Sequence, residues 1–121
     1  MPELFFDTYA IIETIKGNLS YKKYENHTPI LNDFVIAELM HALLKEHDEK
    51  TSNEYADKYA VFSAPINHKT IKDAMVFRYK NKQKNLSMVD CIGYFHAKEL
   101  GIKFLTGDKE FNELSYVQFE K

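Results

Sequence analysis

The sequence predicts an α/β fold in which helices cover both faces of a parallel sheet, and three observations carry that prediction. Short apolar runs alternate with longer segments of helical periodicity. Two of these runs stop on an acid, "ELFFDTY" at Asp7 and "KFLTGDKEF" at Asp108. No repeat, low-complexity tract or Pro/Gly/Ser-rich linker interrupts the 121 residues, which read as one domain, 1–121. Strands alternating with helices build a sheet whose strands run parallel.

Taken in order, Leu4–Asp7 has the character of a buried strand, and Thr8 to about Lys16 that of a first helix stopped by Gly17-Asn18. The stretch 18–27 is polar and tyrosine-rich and matches no element pattern. Asn32 is a good N-cap for a strongly helical run from Asp33 to about His47. Lys50 to about Tyr59 forms a further helix, capped by Thr51 or Ser52, and Val61-Phe62 a short strand before Pro65. A helix from about Lys69 to Lys82 ends in basic sequence. Ser87-Met88-Val89-Asp90 has the form of a capping box opening a helix that closes at Gly101. Ile102–Thr106 is the last firm strand, and Tyr116–Phe119 a terminal edge strand.

Composition narrows the function. At 45% hydrophobic and 28% charged residues the chain is that of a globular protein able to bury a core. No apolar run approaches the roughly 20 residues that span a bilayer, and Glu3 and Asp7 replace the basic region of a signal peptide. Cys91 is the only cysteine, which excludes an internal disulfide and a Cys-based zinc site, so a cytoplasmic location is expected. The net charge of −2 does not itself point to nucleic acid.

The acids at the strand ends do more. In a parallel α/β sheet every carboxyl end lies on one side, and ligands bind in the crevice there. Asp7 and Asp108 would therefore face one cleft, although either could serve only to cap the next helix. Glu38 lies within "DFVIAELMHALL", beside the apolar stripe of its helix. Asp90 occupies the third position of its helix, on the face it shares with Gly93 and Ala97. Glycine inside a helix costs about 1 kcal/mol relative to alanine, which makes sense where a helix packs closely on a sheet. Carboxylates about 4 Å apart repel by roughly 4 kcal/mol at an effective dielectric near 20. Shared protons or divalent cations relieve that repulsion, and an all-oxygen donor set favours Mg²⁺ or Mn²⁺. Such an ion lowers the pKa of water and clamps phosphodiester oxygens, so the expected chemistry is metal-assisted phosphodiester hydrolysis.

The segments "FFDTYAIIE", "VIAELMHALL" and "LSMVDCIGYFHAKELGIKFLTGDKEF" together resemble the PIN domain, in particular the VapC-type toxins of bacterial and archaeal toxin–antitoxin pairs. The likeness runs from Leu4 to Phe111. It implies a Rossmann-like three-layer α/β/α sandwich around a parallel sheet of four or five strands. It also implies an Mg²⁺- or Mn²⁺-dependent endoribonuclease acting on single-stranded RNA, commonly a homodimer, restrained by a small antitoxin protein. Carried over, the catalytic and metal-binding acids would be Asp7, Glu38, Asp90 and Asp108. Thr8 and Thr106 match the hydroxyl residues beside the first and last acids, which orient carboxylates or water. Asn112 stands where some relatives carry another acid. The alternative is a non-catalytic PIN-fold protein-interaction module.

Other features carry less. "RYKNKQK" places Arg78, Lys80, Lys82 and Lys84 together without an acid, either as a contact for RNA phosphates or as a solvated helix end. Lys22 and Lys23 form a weaker basic pair. Glu38 and His41 have the Glu-x-x-His spacing of di-iron bundles, but no second copy exists and His41 reads as a core or rim histidine. The apolar helix 34–44 offers a surface for a dimer or antitoxin. A haloacid-dehalogenase-type phosphatase would need an Asp where Tyr9 stands, and the paired acids of a receiver domain are absent.

Overall fold

The computed structural model describes residues 2–121. Four strands form one parallel sheet in the order β2-β1-β3-β4: β1 Glu3–Phe6, β2 Thr28–Ile30, β3 Lys103–Thr106 and β4 Val117–Phe119. The helices are α1 Thr8–Ile15, α2 Asp33–Leu44, α3 Glu49–Ala60, α4 His68–Lys80 and α5 Met88–Leu100. β1 sits between β2 and β3, so the chain leaves it in one direction and returns to its other side. Right-handed crossovers then put the intervening helices on opposite faces, as the predicted parallel sheet flanked by helices requires. No helix among the described residues is long and apolar enough to cross a membrane.

Alternation along the strands divides the core. Phe5 and Phe104 are register partners and turn the same way, into α5, while Leu4, Phe6 and Leu105 turn toward the other face. Gly93 is where α5 meets the sheet. A β-carbon there would lie 3.0 Å from both the Phe5 and the Phe104 ring, each fully buried, which explains a glycine in mid-helix. Tyr94, Phe104 and Phe111 close the aromatic layer around it, with ring centroids 5.5–6.1 Å apart.

Two expectations are corrected, and the unassigned 18–27 stretch gains its structure. Val61-Phe62 is not a strand: it is the turn after α3, Val61 is exposed, and the only pairing nearby is an isolated bridge between Leu31 and Ser63. α3 is capped by Asp48, whose Oδ1 accepts from the Thr51 N–H at 2.7 Å, not by Thr51 or Ser52. The 18–27 stretch holds a 3₁₀ turn, Leu19–Tyr24, and leads into β2, a strand the sequence pattern does not reveal. Its tyrosines are there to hold the last strand. Tyr21 and Tyr24 donate to the backbone oxygen and carboxylate of Glu120 at 2.5 and 2.9 Å, and Lys23 pairs with that carboxylate at 2.8 Å.

A buried relay fixes α2 against α5. Asn32, the N-cap of α2, accepts from the Val35 N–H through Oδ1 at 3.1 Å, and its amide nitrogen lies 3.0 Å from His96 Nδ1. His96 Nε2 meets the Pro65 carbonyl at 3.1 Å, and a carbonyl only accepts, so the proton sits on Nε2 and Nδ1 accepts from Asn32. Burial holds the His96 pKa below its usual value, in keeping with a neutral ring. Asn32→Ala should therefore remove a cap and strand a buried imidazole nitrogen, at a combined cost of about 2–3 kcal/mol in urea unfolding. Wild-type stability would show that the relay contributes nothing.

Candidate active site

The four acids arrive from four different elements at the carboxyl edge of the sheet. Asp7 follows β1 directly, and its N–H donates to Leu105 of β3 at 3.1 Å. Asp108 follows β3 after Thr106 and Gly107, and Asp90 lies in the first turn of α5. α5 runs back toward the start of β3, so its N-terminus stands at the strands' carboxyl ends. Glu38 comes from the middle of α2, a helix that touches both α1 and α5.

Asp7 combines the two roles that its sequence position allows. One oxygen, Oδ1, caps α1 by accepting from the Ala10 N–H at 2.7 Å. The side chain is nonetheless buried, and its pKa rises from 3.8 to about 7. Burial is the main cause; hydrogen bonds from Thr106 and Ala10 pull the other way, and the charges of Glu38 and Asp108 add to the rise. Asp90 rises to about 8, again through burial first and then through Asp7, Glu38 and Asp108. Asp90's N–H meets Ser87 Oγ at 3.2 Å, but among the described residues its carboxyl makes no hydrogen bond, so half of the predicted capping box is missing. The carboxyl instead shares its surroundings with the other three acids, close enough to feel the charge of each.

The hydroxyl residues divide. Thr106 is fully buried, accepts from the Asp108 N–H at 3.1 Å, and acts on the Asp7 carboxyl closely enough to pull its pKa down. Thr8 Oγ1 is buried without a partner. Gly107, between Thr106 and Asp108, lies against the Tyr9 ring, where any β-carbon would collide. Asp108 Oδ1 accepts from the Glu110 N–H at 2.9 Å and begins a short 3₁₀ turn that ends at Asn112, which is exposed.

The basic residues lie at the margin. Arg78 donates from Nε to the Leu86 carbonyl at 2.9 Å, directly before the cap of α5, and its charge acts on Cys91 beside Asp90. α4 ends at Lys80, so Lys82 and Lys84 belong to a 3₁₀ turn, with the Lys82 ammonium 4.5 Å from the Tyr79 ring centre. Tyr79 is 69% exposed, a ring that the run of cations around it does not advertise in the sequence. His41 is exposed, a rim residue and not a core one. A cavity of about 500 Å³ beside Asn67, Phe95 and Glu99 lies at the far end of α5 and includes none of the four acids.

Residues 4–115 match the PIN domain family. The chain belongs to it. Solved structures of similar fold include VapBC2 from Rickettsia felis bound to a DNA fragment from their promoter. That chain is 18% identical with a TM-score of 0.71, and the match covers 98% of each chain. A toxin–antitoxin complex from Klebsiella pneumoniae is 20% identical with a TM-score of 0.71, over 96% of this chain and 95% of that one. PAE2754 from Pyrobaculum aerophilum is 15% identical with a TM-score of 0.68, over 98% and 90%. No curated protein sequence matches the chain.

PIN domains generally depend on a metal ion. The donors here suit a hard cation in kind, being carboxylate and hydroxyl oxygens, with Thr8 Oγ1 buried and unpartnered. They are not drawn into a closed cage: among the described residues no three acidic, His or Cys side chains converge as a ligand set.

The raised acids fix a pH dependence. Between about pH 4 and 7 the folded protein holds protons on Asp7 and Asp90 that the unfolded chain has released, so folding is favoured by acid and weakened as pH rises through the native values. With a chelator present, the melting temperature should fall from about pH 5 to 8. Asp7→Asn, which keeps an oxygen for the Ala10 N–H, should melt several degrees higher than the wild type at about pH 8 and lose that advantage near pH 5. A pH-independent difference between the two proteins would show that Asp7 carries no buried charge.

Proposed function

We propose that this PIN domain is a divalent-metal-dependent endoribonuclease acting on single-stranded RNA, and the toxin of a pair restrained by a small antitoxin. The observation that carries the reading is that the charges of Glu38 and Asp108 act on both Asp7 and Asp90, so acids from separate elements of a PIN fold stand near one another. The likeness in fold to chains solved in toxin–antitoxin complexes supports the antitoxin partner.

In this reading Asp7, Asp90 and Asp108 hold Mg²⁺ or Mn²⁺, with Glu38 completing the set or positioning the attacking water. A bound ion of this kind supplies Lewis acidity toward phosphodiester oxygens and lowers the pKa of water. The chain's own part is positioning. Thr106 accepts from the Asp108 N–H beside Asp7, and the Asp7 N–H bonds the Leu105 carbonyl, so the β1 and β3 acids are held side by side. The α1 N-terminus holds one Asp7 oxygen and leaves the other to the cleft. Asp90, whose carboxyl makes no hydrogen bond among the described residues, gains most from a cation. Arg78, Lys80, Lys82 and Lys84 make no ion pair among the described residues and so stay available to RNA phosphates.

Cleavage of single-stranded RNA by the purified chain should require Mg²⁺ or Mn²⁺ and stop on chelation. Asp7→Asn should lower the rate by about 100-fold or more while the circular-dichroism spectrum stays native. Wild-type cleavage by Asp7→Asn would discard the site. A protein that neither cleaves RNA nor binds the ion near millimolar concentration by calorimetry would instead be the interaction module.

A further inference from the structure

We propose that the cleft between the end of α4 and the 81–86 loop is a nucleotide subsite, in which one unpaired base of the RNA stacks on Tyr79 while Arg78 and Lys82 hold the flanking phosphates. The inference deepens the ribonuclease reading and rests on it for the identity of the ligand.

The cleft is a cavity of about 190 Å³ lined by Met75, Arg78, Tyr79, Lys82, Asn85 and Leu86. Pockets for drug-sized ligands start at roughly 300 Å³, so this one suits a single ring system. Helical spacing explains the lining: Met75, Arg78, Tyr79 and Lys82 fall three, four and seven residues apart, on one side of the chain as α4 runs out. The opposite wall is built by the turn at Asn85, whose backbone is left-handed at φ 54°, and by buried Leu86.

Three features favour a base over a protein side chain. Tyr79 is 69% exposed, an unusual place for a large ring that contributes nothing to the core. The Lys82 ammonium lies over the ring, 4.5 Å from its centre, so a cation already stands beside the exposed aromatic surface. Both cations are without an acid: the two ion pairs among the described residues are Lys23–Glu120 and Lys69–Asp73. An aromatic face flanked by unpaired cations is the usual construction of a single-strand binding surface.

Position links the cleft to the acids. Arg78 is pinned to the Leu86 carbonyl, and Leu86 precedes Ser87, the cap of the helix that carries Asp90 in its first turn. Arg78 thus ties the cleft to the segment that leads into α5, and in the proposed arrangement a strand seated there runs on toward the acids.

The test uses the full chain carrying Asp7→Asn, in a chelating buffer so that nothing is cut, with a short unstructured oligoribonucleotide as the probe and anisotropy as the readout. Adding Tyr79→Ala should weaken binding about tenfold, and Tyr79→Phe should bind as the parent does. Lys82→Gln should reduce the slope of log affinity against log salt by about 0.7. An abasic oligomer of equal length should bind the parent and Tyr79→Ala alike. Equal RNA binding by the parent and Tyr79→Ala, or an equal loss for the abasic oligomer, would overturn the subsite. Displacement of the RNA by poly-glutamate at equal charge would also overturn it and reassign the cleft to an acidic protein partner. Tyr79-dependent RNA binding by a chain that never cleaves RNA would uphold the subsite and sink the nuclease reading alone.

Discussion

The pairing of β1 with β3 is the contact on which the rest of this molecule depends. The two strands are distant in sequence, yet Phe5 lies opposite Phe104 and Phe6 opposite Leu105, and the Asp7 N–H extends the ladder to Leu105. Because the strands are parallel, both carboxyl ends open on the same edge, and the order β2-β1-β3-β4 makes that point a switch between crossovers of opposite direction. In open sheets of this kind that edge is where ligands bind. In this chain Asp7 follows one of these strands, Thr106 and Asp108 end the other, and Glu38 and Asp90 come from α2 and α5.

Burial, more than mutual repulsion, sets the protonation of the cleft. For both Asp7 and Asp90 loss of water is the first cause of the raised pKa, and the neighbouring acids come after it. Asp7 is offset by two hydrogen bonds and Asp90 by none, which fits the higher value of about 8 at Asp90. Both carboxyls therefore take up a proton more readily than ordinary surface carboxylates do. Such an arrangement sacrifices folding stability at a site, a common feature of functional clefts.

Most of the scaffold was legible because local signals and tertiary demands agreed. Asn32, Ser87 and Gly101 cap their helices as their residue types suggest, and Gly93 lies where a helix touches the sheet. The failures have physical reasons. Val61-Phe62 looks like a strand because both residues are apolar, but Val61 is exposed and the chain there is turning out of α3. Thr28–Ile30 escapes notice because it is three residues long, contains a proline and lies at an edge, where a missing N–H costs little. The tyrosines of 18–27 have no local pattern since their partner is Glu120, about a hundred positions away. At the candidate site the acids were legible as strand-end and helix-face anomalies. Tyr79 was not, because exposure cannot be read from a residue that usually belongs to a core.

Capping alone does not explain the residue at position 7. Asparagine caps a helix about as well as aspartate and adds no charge. Here it would also escape the desolvation that lifts the Asp7 pKa to about 7. For folding alone, asparagine would be the better choice at this position. The same comparison applies with more force to Asp90, whose carboxyl caps nothing among the described residues and is raised further still. Two carboxylates kept where neutral isosteres would fold better, on elements that converge on one cleft, need a reason outside folding. The divalent cation of the proposed function would supply one.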